Sequence, residues 1–398
     1  MNKLLENEFF EIETKDAKVM KDSLSFISEN LKWVEADVAT SHIIVMEPKK
    51  DEIQGQMELL QDGTCGDVVD KLNQFAPVSD REAAEQCYRE SNRFVLLNNE
   101  RGELNVVPTF HTAQRGLLTR RGCDCPAING NWVIARPLPS MEEAFLNDSA
   151  RRCKSTEKWG ILDGGCIANA SSSYVVLDCF EGYKAFVKEI TNTWSSVEFY
   201  QGRISYDYYL ADFKINDEIA VDGLRNTLIG LGVNVESLNA YARYTTSDTT
   251  TSAMAATIYY ELNGTPIRLA NKVGIEHKGD VTMDDFKTSL KDLGMLLKES
   301  EDQVEKLGNT EILFSAGCLF NALKKCHLLN KKGKELVEEV KVTNPKFTAL
   351  DIIIKCNEVL SATADAENWN ATKILNVTEE VTRLLNSSFS HYDKPLED

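Results

Sequence analysis

Cys123-Asp124-Cys125, with His111 before it and Cys153 and Cys166 after, is the one cluster in the chain with enough soft ligands for a tetrahedral zinc site. Its spacing argues against one. Structural zinc is usually held by two Cys-x-x-Cys-like pairs, and a single Cys-x-Cys is a weaker arrangement, so free thiols and no bound metal are expected. Other chemistry is poorly supplied. The five histidines (His42, His111, His277, His327, His391) include no i,i+4 pair, which leaves little for acid/base or metal work. The chain also has no Gly-x-x-x-x-Gly-Lys-Ser/Thr, no Gly-x-Gly-x-x-Gly, no His-Glu-x-x-His and no nucleophile elbow. The expectation is a protein that is not an enzyme and carries no cofactor.

Two other sets of residues point toward a polyanion. The segment Arg115 to Lys158 is locally basic, through Arg115, Arg120, Arg121, Arg136, Arg151, Arg152, Lys154 and Lys158. Of these, Arg115, Arg120, Arg121, Arg151, Arg152 and Lys154 are the candidates for phosphate contacts. Aromatic residues crowd one stretch (Phe199, Tyr200, Tyr206, Tyr208, Tyr209, Phe213), with Tyr241, Tyr244, Tyr259 and Tyr260 further on. Stacking on tyrosine is one way single-stranded nucleic acid is held, and Tyr206 and Tyr208 are the candidate stacking residues. Each set has a plainer reading: arginines spread over several faces and paired with carboxylates, and aromatics that suit any sheet. The formal net charge of −18 bears on both, because an acidic surface repels phosphate and anionic lipid alike unless a local basic surface intervenes.

With 42% hydrophobic and 27% charged residues, the composition is that of a globular chain with ample material for a core. Met1-Asn2-Lys3-Leu4-Leu5 runs straight into glutamates, and no apolar run approaches membrane-spanning length, so a cytoplasmic location without membrane contact is expected. Ten cysteines at irregular spacing fit reduced thiols better than a disulfide framework. The Asn-x-Ser/Thr sequons, such as Asn169-Ala170-Ser171, then carry no meaning.

The elements that must position these residues read as an α+β protein, a central antiparallel β-sheet backed by a long helix, with an all-helical C-terminal part. Three regions are expected: an acidic helix/strand region over 1–75, a β-rich core ending in a long helix over 76–309, and a helical region over 310–398. Thr282 with Asp285 makes a capping box, and Phe286, Leu290, Leu293, Leu297, Val304 and Leu307 draw one stripe, predicting a helix Thr282–Leu307 about 39 Å long. Thr348 with Asp351 caps the last helix. Strands are expected at His42–Met46, Phe94–Leu97, Leu104–Val107, Tyr174–Leu177, Ile204–Phe213, Tyr241–Tyr244, Met254–Leu262 and Ile267–Ile275. Asp163-Gly164-Gly165 and Asn263-Gly264 serve as hairpin turns. Helices are expected over Asp16–Trp33, Ser79–Asn92 and Phe180–Ile190, and around Leu224 and Leu228.

Ala170-Ser171-Ser172-Ser173-Tyr174-Val175-Val176-Leu177 and the helix around Tyr183 and Phe186 carry a resemblance. So do Arg243–Gly279, with its Thr-Ser-Asp, Asn-Gly and His-Lys-Gly landmarks, and the helix Phe347–Ser361. From about Asn169 onward the chain resembles a phage- and plasmid-encoded family classed as a domain of unknown function. Many members carry a cysteine two residues before the Asn-Gly of the central hairpin, where this chain has Glu261-Leu262-Asn263-Gly264. The resemblance implies a mobile-element protein in a bacterial host, among replication and recombination functions, and supplies no catalytic residues. A hairpin sheet backed by a long helix is also similar to the core of single-strand annealing proteins, which need a continuous basic track. Two functions are therefore expected side by side. One is a non-enzymatic phage-like accessory protein binding single-stranded DNA in replication or recombination. The other is a phage structural or protein-interaction component, assembling through its C-terminal helices as a homo-oligomer or with other phage or host proteins.

Overall fold

The structure, a computed structural model, describes residues 11–37, 42–45, 49–50, 57–58, 93–98, 104–108, 113, 156–162, 165–205, 208–249, 252–369 and 371–396. The chain opens with β1 (Glu11–Thr14), α1 (Ala17–Asn30), β2 (Leu31–Asp37), β3 (His42–Val45), β4 (Lys49–Lys50), β5 (Met57–Glu58), β6 (Arg93–Asn98) and β7 (Leu104–Pro108). The hairpin β8 (Thr156–Leu162) and β9 (Gly165–Ser171) precedes α2 (Cys179–Thr193), β10 (Val197–Ser205), β11 (Tyr208–Ile215) and α3 (Glu218–Gly230). Then come β12 (Leu238–Thr246), β13 (Met254–Leu262), β14 (Thr265–Ile267) and β15 (Val273–Ile275). Helices close the chain: α4 (Met283–Leu290), α5 (Met295–Gly308), α6 (Ser315–Lys325), α7 (Lys331–Thr343), α8 (Ala349–Ala366) and α9 (Ala371–Arg383).

Seven strands make one antiparallel sheet in the order β1-β10-β11-β12-β13-β14, with β15 also paired to β13. Successive residues of a strand point to opposite faces, and the sequence uses that period cleanly. Ile204, Tyr209, Ala211, Phe213, Ala242, Tyr244, Ile258 and Tyr260 enter the core, whereas Asp212, Arg243, Thr257 and Tyr259 take the alternate positions and line the opposite face or sit in its floor. The turn Asn263-Gly264 has φ of 51° and 83°, the left-handed values a two-residue hairpin needs. Smaller ladders join β2 to β8 and β9, β3 to β6 and β7, and β4 to β5.

Helix starts follow from side-chain oxygens placed to accept otherwise unpaired amides. Asp16, Asp178 and Asp217 cap α1, α2 and α3, while Thr282/Asp285 and Thr348/Asp351 form reciprocal capping boxes on α4 and α8. On the core face α2 crosses β12 closely, because Gly182 has no side chain where a Cβ would lie 2.5 Å from the Tyr244 hydroxyl. That hydroxyl donates to the Cys179 carbonyl at 2.9 Å. One apolar cluster runs from Met20 in α1 to Phe389 beyond α9, and so packs α1 together with the sheet and the C-terminal helices. The N-terminal region adds β1 to the main sheet, with Glu11 and Glu13 paired to Arg203. The fold is α+β, with helices gathered in the C-terminal part, and no helix among the described residues is long and apolar enough to cross a membrane.

Four expectations change. Ile267–Ile275 is not one strand but the end of β14 and the whole of β15, each paired to β13, with Arg268–Lys272 between them outside the ladder. The stretch Thr282–Leu307 is two helices, α4 and α5, joined by a turn in which Leu293 N–H donates to Leu290 O at 2.9 Å and Met295 N–H to Asp292 O at 3.0 Å. Gly294 sits in that turn against Thr193, and Leu293 stays fully buried, so the apolar stripe continues across the break. Ile204–Phe213 is not one strand but the end of β10 and most of β11, a hairpin. Tyr174–Leu177 makes only a single bridge, Tyr174 to Lys278. The helix expected over Ser79–Asn92 lies outside the described residues.

Candidate ligand cleft on the outer sheet face

The sheet face turned away from the core floors a cleft of about 840 Å³, within the range of small-ligand sites. Residues of α8 and α9, the end of β9, and the segment Glu276–Lys278 wall it. Its floor is organised by one carboxylate. Gln201, Asp212, Arg243 and Thr257 stand directly opposite one another on β10, β11, β12 and β13. Asp212 is fully buried and accepts from Arg243 Nε at 2.7 Å, Arg243 Nη2 at 2.9 Å, Gln201 Nε2 at 2.9 Å and the Tyr259 hydroxyl at 3.0 Å. A buried charge without such partners would cost several kcal/mol; here a bidentate guanidinium and two neutral donors satisfy it. Burial works against the charge on Arg243, but Asp212 outweighs it and holds the guanidinium's pKa above its ordinary value. Burial, with the Asp212 charge behind it, also pushes the Tyr259 phenol up, so it stays protonated and donates.

A ladder of rings lies beside this network. Tyr241 and Tyr259 are cross-strand partners, stacked at 4.9 Å and 11°, and Tyr200 meets Tyr241 at 4.9 Å and 49°. Arg243 covers the Tyr259 ring at 4.4 Å, a cation–π contact that further fixes both. Tyr200 reaches the ladder because of a β-bulge: the β10–β11 register passes from Phe199/Phe213 straight to Gln201/Asp212, leaving Tyr200 without a partner. Two consecutive residues, Tyr200 and Gln201, therefore both line the cleft. Tyr241 is 3% exposed while Tyr200 is 37% exposed, so the ladder presents its open ring at the Tyr200 end.

On the far wall Arg268 is nearly buried and pairs with Glu379 at 2.7 Å, joined by Lys272 at 3.4 Å. Burial alone would raise the Glu379 pKa; the two cations outweigh it and lower it. Among the described lining residues Arg243, Arg268, Lys272 and Lys278 are balanced by Glu261, Glu276, Asp365 and Glu379. At one end Tyr174 and His277 stack at 4.9 Å, and burial lowers the His277 pKa, leaving it a neutral ring bonded through Nδ1 to Val175 O. The end of β12 and the residues that follow it, Thr245–Thr249, are buried throughout. Burial pushes Asp248 there up to about 7, against the Tyr209 and Cys179 hydrogen bonds that pull it down.

The candidate residues from the sequence fall unevenly on this picture. Arg115, Arg120, Arg121, Arg151, Arg152, Lys154 and Tyr206 lie outside the described residues, as do His111, Cys123, Cys125 and Cys153. Tyr208 does line the cleft, but at 2% exposure its ring has no open face for a base, and Tyr200 is the better placed ring. The Asp212–Arg243 pair was not anticipated. Its only signal is one lone charge inside each of two otherwise uncharged stretches, Tyr208–Phe213 and Ala240–Thr246, and the sequence does not reveal that these two face each other. Described thiols are poor nucleophiles: Cys166, Cys179, Cys318, Cys326 and Cys356 are buried, and burial raises each pKa. No cluster of three or more His, Cys, Asp or Glu suited to a metal occurs among the described residues. What the cleft offers is stacking and hydrogen bonding. No family model, curated protein or solved structure matches the chain.

Proposed function

We propose that this chain is a non-catalytic binding protein whose cleft takes an extended, ring-bearing ligand, with single-stranded nucleic acid the ligand in question. The observation that carries the reading is the Tyr200–Tyr241–Tyr259 ladder, open at Tyr200, whose two end rings line a cleft large enough for more than one ring. Stacking of this kind contributes about 1–3 kcal/mol per base and works for any base. Because the described charges of the cleft, with Asp212 in its floor counted, leave no excess of cations, phosphate contacts in this reading fall to Arg115, Arg120, Arg121, Arg151, Arg152 and Lys154. We extend the proposal to a place in replication or recombination, the setting that the sequence resemblance implies.

Fluorescence anisotropy with a labelled oligonucleotide, from about 20 to 200 mM salt, tests it. Single strands bind better than duplex of equal length, and Tyr200→Ala weakens binding without changing the salt slope. Replacing Arg120 and Arg121 together by alanine flattens the slope by about 0.7 per lost contact. Absence of binding at the lowest salt rejects the reading. A protein-interaction role then takes its place, favoured by the net charge of −18 and by the adjacent exposed side chains Leu313 and Phe314 at the start of α6.

A further inference from the structure

Within the nucleic-acid reading above, on which this step rests, the role of Arg243 is open: a guanidinium in a binding cleft can hold either a phosphate or a base edge. The geometry points to the second. We infer that Arg243 donates a hydrogen bond to a carbonyl oxygen on the edge of a base stacked along the tyrosine ladder, and that Asp212 is the positioning residue that makes it do so.

Arg243 spends Nε and Nη2 on Asp212, at 2.7 and 2.9 Å, and lies flat over Tyr259. Its remaining nitrogen, Nη1, has no partner among the described residues, and the side chain, one-fifth exposed, lines the cleft. The free edge is therefore aimed, and it costs nothing further to order on binding. Asp212 also decides what that edge accepts. A phosphate brought to Nη1 would carry its charge close to a fully buried carboxylate, so attraction to the guanidinium and repulsion from Asp212 largely cancel. A neutral carbonyl keeps the hydrogen bond and avoids the repulsion. Asp212 takes the Nε hydrogen and one Nη2 hydrogen, so the end-on pair, one hydrogen of Nη1 and the second of Nη2, is left for a base edge. A carbonyl oxygen is the acceptor this edge selects. Guanine, thymine, cytosine and hypoxanthine each have a carbonyl; adenine has none.

The clearest pair of probes is two oligonucleotides of equal length, one with hypoxanthine at every position and one with adenine. They differ on that base edge chiefly in a carbonyl where adenine has an amine. The full chain is expected to bind the hypoxanthine strand roughly fivefold tighter or more, the low end of the discrimination one base contact gives, with equal salt slopes for the two. Arg243→Lys keeps the charge opposite Asp212 and the fold, but loses the planar fork, so the preference falls toward unity while the slope is unchanged. Asp212→Asn frees the guanidinium's charge: the slope steepens by about 0.7 as a phosphate is recruited, and the preference shrinks. Equal binding of both strands by the wild type, or an Arg243→Lys protein that retains the preference, overturns the inference and leaves the binding reading standing. No binding of either strand at the lowest salt removes both.

Discussion

The two faces of the seven-stranded sheet come from the same strands, one residue apart, and they are stabilised by different physics. On the core face Tyr183, Phe186, Phe213 and Tyr244 pack at 5.7–6.3 Å, mostly tilted or edge to face, with helices covering them completely. Burial there is non-directional, so neighbouring apolar shapes could serve nearly as well. On the cleft face one buried carboxylate fixes four donors, and the network has no tolerance: remove a member and a charge or a donor is stranded. The first face holds the sheet together; the second holds a few groups in set positions with their free edges toward solvent. Rigid placement of polar groups is what a binding surface needs and what a core does not supply.

Substitutions on either side can break or sharpen that contrast. The largest effect is expected from Leu293→Asp, which puts an unpaired charge into the core between α4 and α5 and costs roughly 3–5 kcal/mol. A denaturant midpoint left unchanged would mean that the helices do not depend on this face. Asp248, where the core meets the β12–β13 loop, follows. Its folded pKa of about 7 exceeds the unfolded value, so folding takes up a proton between about pH 4 and 7, and stability falls as pH rises through that window. Asp248→Asn imitates the protonated form, and should remove that slope and stabilise the protein above pH 7 by up to about 4 kcal/mol. A pH–stability curve identical to wild type would place the titration elsewhere. Arg243→Ala strands Asp212 on the cleft face and should cost about 2–3 kcal/mol, below the fully buried limit because Arg243 is one-fifth exposed. Tyr200→Ala, by contrast, should change stability by no more than about 0.5 kcal/mol. A loss of 2 kcal/mol or more there would make the open ring part of the fold and erase the division between the faces.

Much of the core face was legible from residue types. β13 coincides with the predicted Met254–Leu262, and both capping boxes lie where Thr282/Asp285 and Thr348/Asp351 place them, because alternation and caps are local signals. The errors arose where local signals were silent. Tyr206-Asp207 separates β10 from β11 without the glycine or asparagine that usually marks a hairpin, so an alternating pattern ran through it. Between α4 and α5 the apolar spacing keeps its phase, so the spacing gives no sign of the turn at Lys291–Gly294. Ser300, the polar residue that stands between Leu297 and Val304 in the stripe, is nevertheless fully buried, its hydroxyl donating to Leu296 O at 2.8 Å. The candidate cleft was least legible. Asp212 and Arg243 acquire their meaning only from the register of two strands 31 residues apart along the chain, which no motif encodes.

The bulge at Tyr200 has a consequence for how the cleft could be altered. Phe199 already faces Phe213 and Gln201 already faces Asp212, so β10 contains one residue more than its partner strand requires. Excising Tyr200 would close the ladder on pairs that exist now, shifting neither the core residue before it nor the network residue after it. Strand pairing places no demand on that site, and the side chain's ring contact there is the one with Tyr241. The site is a socket in which ring size, charge or length can be exchanged, or omitted altogether, and ligand preference can therefore be varied at this position independently of stability.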